Sequence, residues 1–261
     1  MGYLDDKDGK LVIPNAIKEL VLDEKSPNYV AGQLTYSALR SLEYDSFDEL
    51  FTLGKSKPPS SENTIKAFEE VTSWDHRAFL NAVKTGNKRL HEQLLRGCKI
   101  LDVGCGAGRF MQRLCAVYPL SETTGIDLYA DEIIKAIDSR MKIMRSSGET
   151  MQFKDEFDLV YLGESLYLME DKQHAIRNCY RALRKGGTIA ILEGLLSEKD
   201  GCVTSKEGKM VMTMQLDFVL QGHEFMTKSQ ITTLLMLAGF KKIKFHNLGA
   251  AFHLATARKI E

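Results

Sequence analysis

The stretch KILDVGCGAGRF, residues 99–110, runs from an apolar segment through Asp102 into Gly104, Gly106 and Gly108 at every second position. Glycines at that spacing let the backbone turn tightly and come close to a ligand. After a strand and before a helix, such a loop lies where a βαβ unit binds its ligand. The dinucleotide fingerprint is GxGxxG with a small third position, whereas this loop is GxGxG, with Cys105 inside it and Arg109 in the small-residue place. Asp102 puts a carboxylate at the loop's mouth, which repels a pyrophosphate but suits an amine or a sulfonium. Asp127 ends the next apolar segment about 20 residues on, where an acid pairs with ribose hydroxyls. Glu164 follows Gly163 at the end of FDLVYLGES, on the same ligand side. It could take a proton or hold an amine; a solvated loop acid would look the same. A glycine turn that only caps a helix would also share the loop's spelling, but loop, acid and the alternating architecture together favour a ligand site.

The elements that must carry these residues alternate from Cys98 onward. KILDVG, ETTGIDLY, IMRSS, FDLVYLGES and TIAILEGLL read as strands, and KKIKFHNLGAAFHLATARK as a strand pair around Gly249. RFMQRLCAVYP, DEIIKAIDSRM and SQITTLLMLAGF read as helices, as does DKQHAIRNCYRALRKGG, between an Asp171 cap and Gly186-Gly187. This alternation predicts a parallel sheet covered on both faces. Residues 1–96 read instead as helical, with apolar spacing at Val30, Leu34, Ala38 and Leu42 and again at Ile65, Phe68, Val71 and Phe79. GKSKPPSSEN breaks that region as a loop or hinge. Two domains are therefore expected, 1–96 and 97–261.

Bulk composition narrows the class. In 261 residues, Lys plus Arg and Asp plus Glu balance at 35 each, which gives no electrostatic reason to expect a nucleic-acid partner. Cysteines 98, 105, 115, 179 and 202 show no CxxC pair, arguing against a disulfide framework or a zinc site and for a reducing, cytoplasmic setting. No metal ligand set is expected. No apolar run approaches a membrane span, the N-terminus is too polar for a signal peptide, and Asp6 stands where myristoylation wants Ser or Thr. No membrane partner is expected.

ILDVGCGAGRF, GIDL, FDLVYLGESLYLMED and YRALRKGGTIAILEG, in that order, resemble class I S-adenosylmethionine (SAM)-dependent methyltransferases over residues 98–260. The resemblance implies a Rossmann-like α/β fold, a seven-stranded mostly parallel sheet with helices on both faces, preceded by a smaller helical domain. It implies SAM as cofactor. Asp102, Gly104, Cys105, Gly106, Gly108 and Gly163 would surround its methionine and ribose, Asp127 its ribose hydroxyls and Leu128 its adenine. The adenine pocket would continue at Ser147, Gly148 and Glu149, where this chain departs from the usual acid.

Two further stretches, DGKLVIPNAIKELVLDEKSPNYVAG and GHEFMTKSQITTLLMLAGF, are similar to segments of small-molecule O-methyltransferases that carry an N-terminal winged-helix dimerisation domain. That resemblance implies a shortened N-terminal domain, here ending a winged helix, that covers the acceptor site and forms a homodimer. Tyr167 falls where that family has its histidine base, and a phenol with a pKa of about 10 is a poor base at neutral pH. His223, just before the last helix, is an alternative base; a loop histidine is the plain reading. His91 and His174 read as structural, and Trp74 and Phe79 as core. Residues 195–221, with Met210, Met212 and Met214, read as a pocket cover, a dimer contact or an ordinary amphipathic helix. The function implied is methyl transfer to a small-molecule acceptor, on oxygen or nitrogen. A SAM-binding protein without activity and an NAD-dependent oxidoreductase are the alternatives.

Overall fold

The computed structural model describes residues 4–23, 26, 29–43, 47–54, 61–128, 130, 139–198, 206–249 and 251–260. Cys202, most of the expected helix DEIIKAIDSRM and most of the loop GKSKPPSSEN lie outside these residues. The chain divides into two compact units, Met1–Arg77 and Ala78–Glu261.

The first unit is not helical throughout. It opens with an antiparallel hairpin of β1 (Asp5–Lys7) and β2 (Lys10–Val12). Asp8 and Gly9 form its turn at φ +56° and +75°, the two positive values that a tight hairpin needs. Helices α1 (Asn15–Val21), α2 (Ala31–Ser41), α3 (Phe47–Leu53) and α4 (Glu62–Val71) follow. Helices α2 and α4 touch closely because Gly32 has no side chain: a Cβ there would lie 2.9 Å from the Glu70 carbonyl carbon. Tyr36 packs on Phe68 beside that crossing. Arg40, 1% exposed, pairs with Glu43 at 2.8 Å, and Glu43 also accepts from Thr64.

The unit boundary falls inside α5 (Ser73–Gly86), ahead of the change of pattern at residue 97. Phe79 on α5, with Leu90 and Leu94 on α6 (Lys88–Arg96), is buried in the second unit, and Phe79 packs edge-on against Phe110 and Tyr161. Helical spacing alone does not say against which unit a helix packs.

In the second unit, β3 (Lys99–Val103), α7 (Arg109–Val117), β4 (Glu122–Asp127), β5 (Met141–Arg145) and β6 (Phe157–Gly163) come first. A 3-10 turn (Leu166–Leu168), α8 (Lys172–Ala182), β7 (Leu183–Leu196) and α9 (Lys206–Leu220) follow. The unit closes with β8 (Met226–Thr227), α10 (Lys228–Leu237), β9 (Lys241–Gly249) and β10 (Phe252–Arg258). The sheet order is β5-β4-β3-β6-β7-β10-β9, with the short β8 beside the end of β7. β3 to β7 are parallel, and β10 runs antiparallel to both neighbours. This is the expected Rossmann-like sheet.

Alternate strand residues feed opposite layers. Val160, Leu162, Ile189 and Ile191 join Ile176 of α8 and Leu235 of α10 in the main core. Tyr161, between two of them, turns the other way and stacks on Phe110 at 4.0 Å. One boundary differs from the sequence expectation. α8 stops at Ala182, because Leu183 is fully buried in extended backbone opposite Phe157 and its carbonyl accepts from Lys259 Nζ.

Candidate functional site

The order of strands reverses between β3 and β6, so the crevice at their carboxyl ends is where a ligand belongs in such a sheet. Gly104, Gly106 and Gly108 sit there with φ of +78°, +49° and +72°. A Cβ on Gly104 would come within 2.6 Å of Ser165 Cβ, and one on Gly108 within 2.9 Å of Ile143. A Cβ on Gly106 would meet nothing within 4 Å. Two of the glycines thus permit packing, and the third faces open space that a ligand can occupy. The Gly104 and Cys105 amides donate to the Ile126 carbonyl at 2.8 and 3.1 Å, and the Gly106 amide to Asp127 Oδ2 at 3.0 Å. The Cys105 side chain turns away from the crevice into a cluster with Met111, Cys115 and Met141, and burial pushes its thiol pKa up. Only its backbone runs along the crevice.

Asp102 is 2% exposed, and its Oδ2 has no hydrogen-bond partner among the described residues. Burial, with the charge of Asp127 adding to it, pushes this carboxyl up to about 8. A buried carboxyl with an unmet oxygen is costly, and a cationic donor would satisfy it. At the end of β4 Asp127 is partly open, and Leu128 beside it is 55% exposed, an apolar surface at a strand end.

The segment Ser147–Glu149 follows β5 at the same end of the sheet, where the Ser146 amide donates to the Asp127 carbonyl. Asn178 of α8 donates to the carbonyls of Gly148 and Glu149 at 3.0 and 2.9 Å, fixing the turn. The Glu149 carboxylate accepts from the Glu170 amide, and Ser147 bonds with Thr150. Gly148 is buried against Met169 and Ala175. These three residues therefore share one turn beside Asp127.

On the other side of β3, Gly163 ends β6, and a Cβ there would collide with the Tyr161 hydroxyl. Glu164 is 6% exposed with a left-handed φ of +50°, and its amide donates to the Leu192 carbonyl of β7. Glu164 Oε1 has no partner among the described residues, and burial pushes this carboxyl up to about 7. The solvated-loop alternative does not fit that burial. Ser165 Oγ donates to the Val103 carbonyl at 2.6 Å, tying this turn to the glycine loop.

Tyr167 and His223 lie together, Tyr167 in the turn that follows Ser165. Tyr167 is 1% exposed, edge-on to Phe218 at 4.6 Å and to the His223 ring at 6.0 Å. Burial and the charge of Lys172 hold His223 below the usual histidine range. Helix α9 contributes Val211, Met214 and Phe218 to this cluster and leaves Met212, Leu216 and Val219 largely exposed. Met210 carries no described side chain. A cavity of about 220 Å³ lies at the opposite, amino ends of the strands, lined by Lys99, Glu122, Lys142 and Arg184. It is on the wrong edge for a ligand of this sheet.

Residues 101–191 match the family model described as a methyltransferase domain. O-methyltransferase rstn1 of Aspergillus nomiae is 25% identical over 221 residues, 78% of this chain and 90% of that protein. Anthranilate N-methyltransferase of Ruta graveolens is 24% identical over 176 residues, 65% of this chain but 48% of that protein. Among solved structures, human N-acetylserotonin methyltransferase in complex with SAM is similar with a TM-score of 0.68 at 21% identity, over 98% of this chain and 78% of that one.

The second unit contains functional groups that the sequence patterns passed over. Glu193 of β7 is 1% exposed and accepts from the Leu166 amide at 2.8 Å, with the Ser165 and Tyr167 amides adding to it. Its signal was legible: a lone acid inside the otherwise apolar run TIAILEGLL. Ser165 and Asn178 carried no comparable signal, because hydroxyl and amide side chains on a turn or helix are ordinarily solvated.

Proposed function

We propose that this chain is a SAM-dependent methyltransferase acting on a small-molecule acceptor, at oxygen or nitrogen. The observation that carries the reading is the buried Asp102 carboxyl with an unmet oxygen, beside a glycine loop whose middle glycine faces open space. A ligand bringing an ammonium and a sulfonium satisfies that carboxyl. A dinucleotide would bring two phosphates against Asp102 and Asp127 instead, which argues against the oxidoreductase alternative. When bound, SAM supplies an electrophilic methyl group. Asp102 would hold its ammonium, Asp127 its ribose hydroxyls, and Leu128 and the Ser147–Glu149 turn its adenine. Gly106 keeps the wall free of a side chain, and Gly104, Gly108 and Gly163 let the loop and the strand end pack behind it.

The roles expected of the N-terminal residues, covering the acceptor and joining a second copy, belong to the same proposal. The exposed Leu34, Leu42, Phe51 and Leu53 on helices and turns of the first unit support a homodimer. Among the described residues, no helix is long and apolar enough to cross a membrane. Buried free thiols at Cys98, Cys105, Cys115 and Cys179 support a cytoplasmic setting. The experiment is incubation with methyl-labelled SAM and a small-molecule extract. Label in a small-molecule product supports the reading, and tight SAM binding without any transfer supports a binding protein instead.

A further inference from the structure

We propose that Glu164 and Glu193 act as a pair that holds one proton between them, and that Glu164 is the group that receives the proton lost by the methyl acceptor. The proposal rests on the methyltransferase reading above and supplies the base which that reading lacks at Tyr167.

The two carboxyls stand on neighbouring strands at one level. Gly163 is the register partner of Leu192, and the Glu164 amide donates to the Leu192 carbonyl, so Glu164 and Glu193 come next in line on each strand. Both are buried, and each has one carboxyl oxygen without a partner among the described residues. Their remaining contacts differ. Glu193 accepts from the amides of Ser165, Leu166 and Tyr167 at the start of the 3-10 turn, which offset only part of the raise that burial and the charge of Glu164 impose on it. Glu164 has no such grip on Oε1 and is held in a left-handed backbone conformation, a strain that non-glycine residues keep where the surroundings enforce it. With two buried carboxyls side by side on neighbouring strands, one keeps the proton; burial and the charge of Glu164 push Glu193 up, so Glu193 keeps it and Glu164 is left ionised to receive the acceptor's proton.

Among the described residues, the neighbouring ionisable groups do not neutralise the pair. Asp102 on β3 is a third acid. His253 of β10 is the register partner of Glu193, but its Nδ1 meets the Ala251 carbonyl at 2.9 Å. Burial lowers the pKa of both His253 and His223, so neither is a cation near neutral pH. Burial pushes Glu164 up to about 7, and the charge of Glu164 together with burial pushes Glu193 up too. A carboxyl in that range is matched to base work at neutral pH.

The acceptor class this serves is a neutral hydroxyl or amine, whose X–H proton must leave. The X lone pair forms the bond to the methyl carbon, and the carbon–sulfur pair returns to sulfur. The X–H bond breaks with its electrons left on X, and the proton goes to Glu164 Oε1, so no oxidant or further reactant is needed.

The test begins without any acceptor, by carbon NMR of the full chain labelled at glutamate side-chain carboxyls. One glutamate resonance should titrate near pH 7. It should be absent in Glu164→Gln, and a second glutamate, absent in Glu193→Gln, should keep its proton to higher pH. Retained S-adenosylhomocysteine (SAH) binding in both variants shows that the fold is kept. If every glutamate titrates in the ordinary range near 4 to 5, the pair holds no proton and the proposal fails. In the labelled-SAM assay Glu164→Gln should lose 10²- to 10⁴-fold in rate and flatten the acid limb of the pH profile. A rate within tenfold of the parent at all pH values removes Glu164 as the base. Absence of transfer by the parent chain would instead count against the methyltransferase reading, leaving the NMR result to judge the pair.

Discussion

The Gly106 amide donates to Asp127 Oδ2 at 3.0 Å, joining the open middle of the glycine loop to the end of the neighbouring strand. One carboxylate thus shapes the loop and borders the space in front of it. Asp127→Ala should weaken SAH binding by on the order of 2 to 4 kcal/mol, through lost charge-assisted bonds to ligand hydroxyls and a loosened loop. Calorimetry checks this, and unchanged affinity would take Asp127 out of the site.

Asp102 gives the site a pH signature. Its carboxyl is raised to about 8 by burial and by Asp127, so it is protonated in the free protein at neutral pH. An ammonium ligand selects the ionised form, so binding should release a proton. SAH affinity should then rise as pH goes from 6 towards 8, with a limiting slope of about tenfold per pH unit. Titrations in buffers of different ionisation enthalpy read the proton directly. Asp102→Asn should bind weakly and lose the slope.

Glu164 makes a stability prediction with an unusual sign. Its pKa is raised on folding from 4.5 to about 7, so the folded chain binds the extra proton across that window. Stability therefore falls as pH rises from about 4.5 to 7, and Asp102 adds to the fall up to about 8. Glu164→Gly removes the carboxyl and relieves the φ of +50°, so it should gain about 1 kcal/mol or more at pH 7 and flatten the slope. Denaturant melts at several pH values measure both effects, and a less stable variant would show that the carboxyl is structurally supported.

Tyr167 is packed by Phe218 and Phe225 in an aromatic cluster, where its ring matters more than its hydroxyl. Tyr167→Phe should lower the methyl-transfer rate less than tenfold, below about 1.4 kcal/mol of barrier. His223→Ala should be mild as well if Glu164 takes the proton. A 10²-fold or larger loss at His223, with a pH break near 6.5 in the parent only, would move the base there.

The sheet was legible in the sequence because its central strands β3 and β6 read as short apolar runs, and β3, β4 and β6 carry an acid or a glycine at the ligand end. Asp102, Asp127 and the loop glycines announced themselves this way. The hairpin at Asp5–Val12 was hidden by its polar, exposed residues, which carry no periodic signal. The start of the second unit inside α5 was hidden because one amphipathic helix crosses the boundary. Glu164 showed as a strand-end acid, but its partner Glu193 did not, since their meeting depends on which strands are neighbours. That order, with β7 next to β6, is a tertiary fact.

The central claim is that the open face at Gly106 is the SAM site. Calorimetry with SAH on the parent chain and on Gly106→Val tests it most directly, with NAD as the competing ligand. The account predicts that the parent binds SAH and not NAD, and that the valine variant, melting lower because of its strained φ of +49° but still cooperatively, loses SAH because its side chain fills space that is empty of protein within 4 Å. Equal SAH binding by both chains, or binding of NAD in its place, would contradict it.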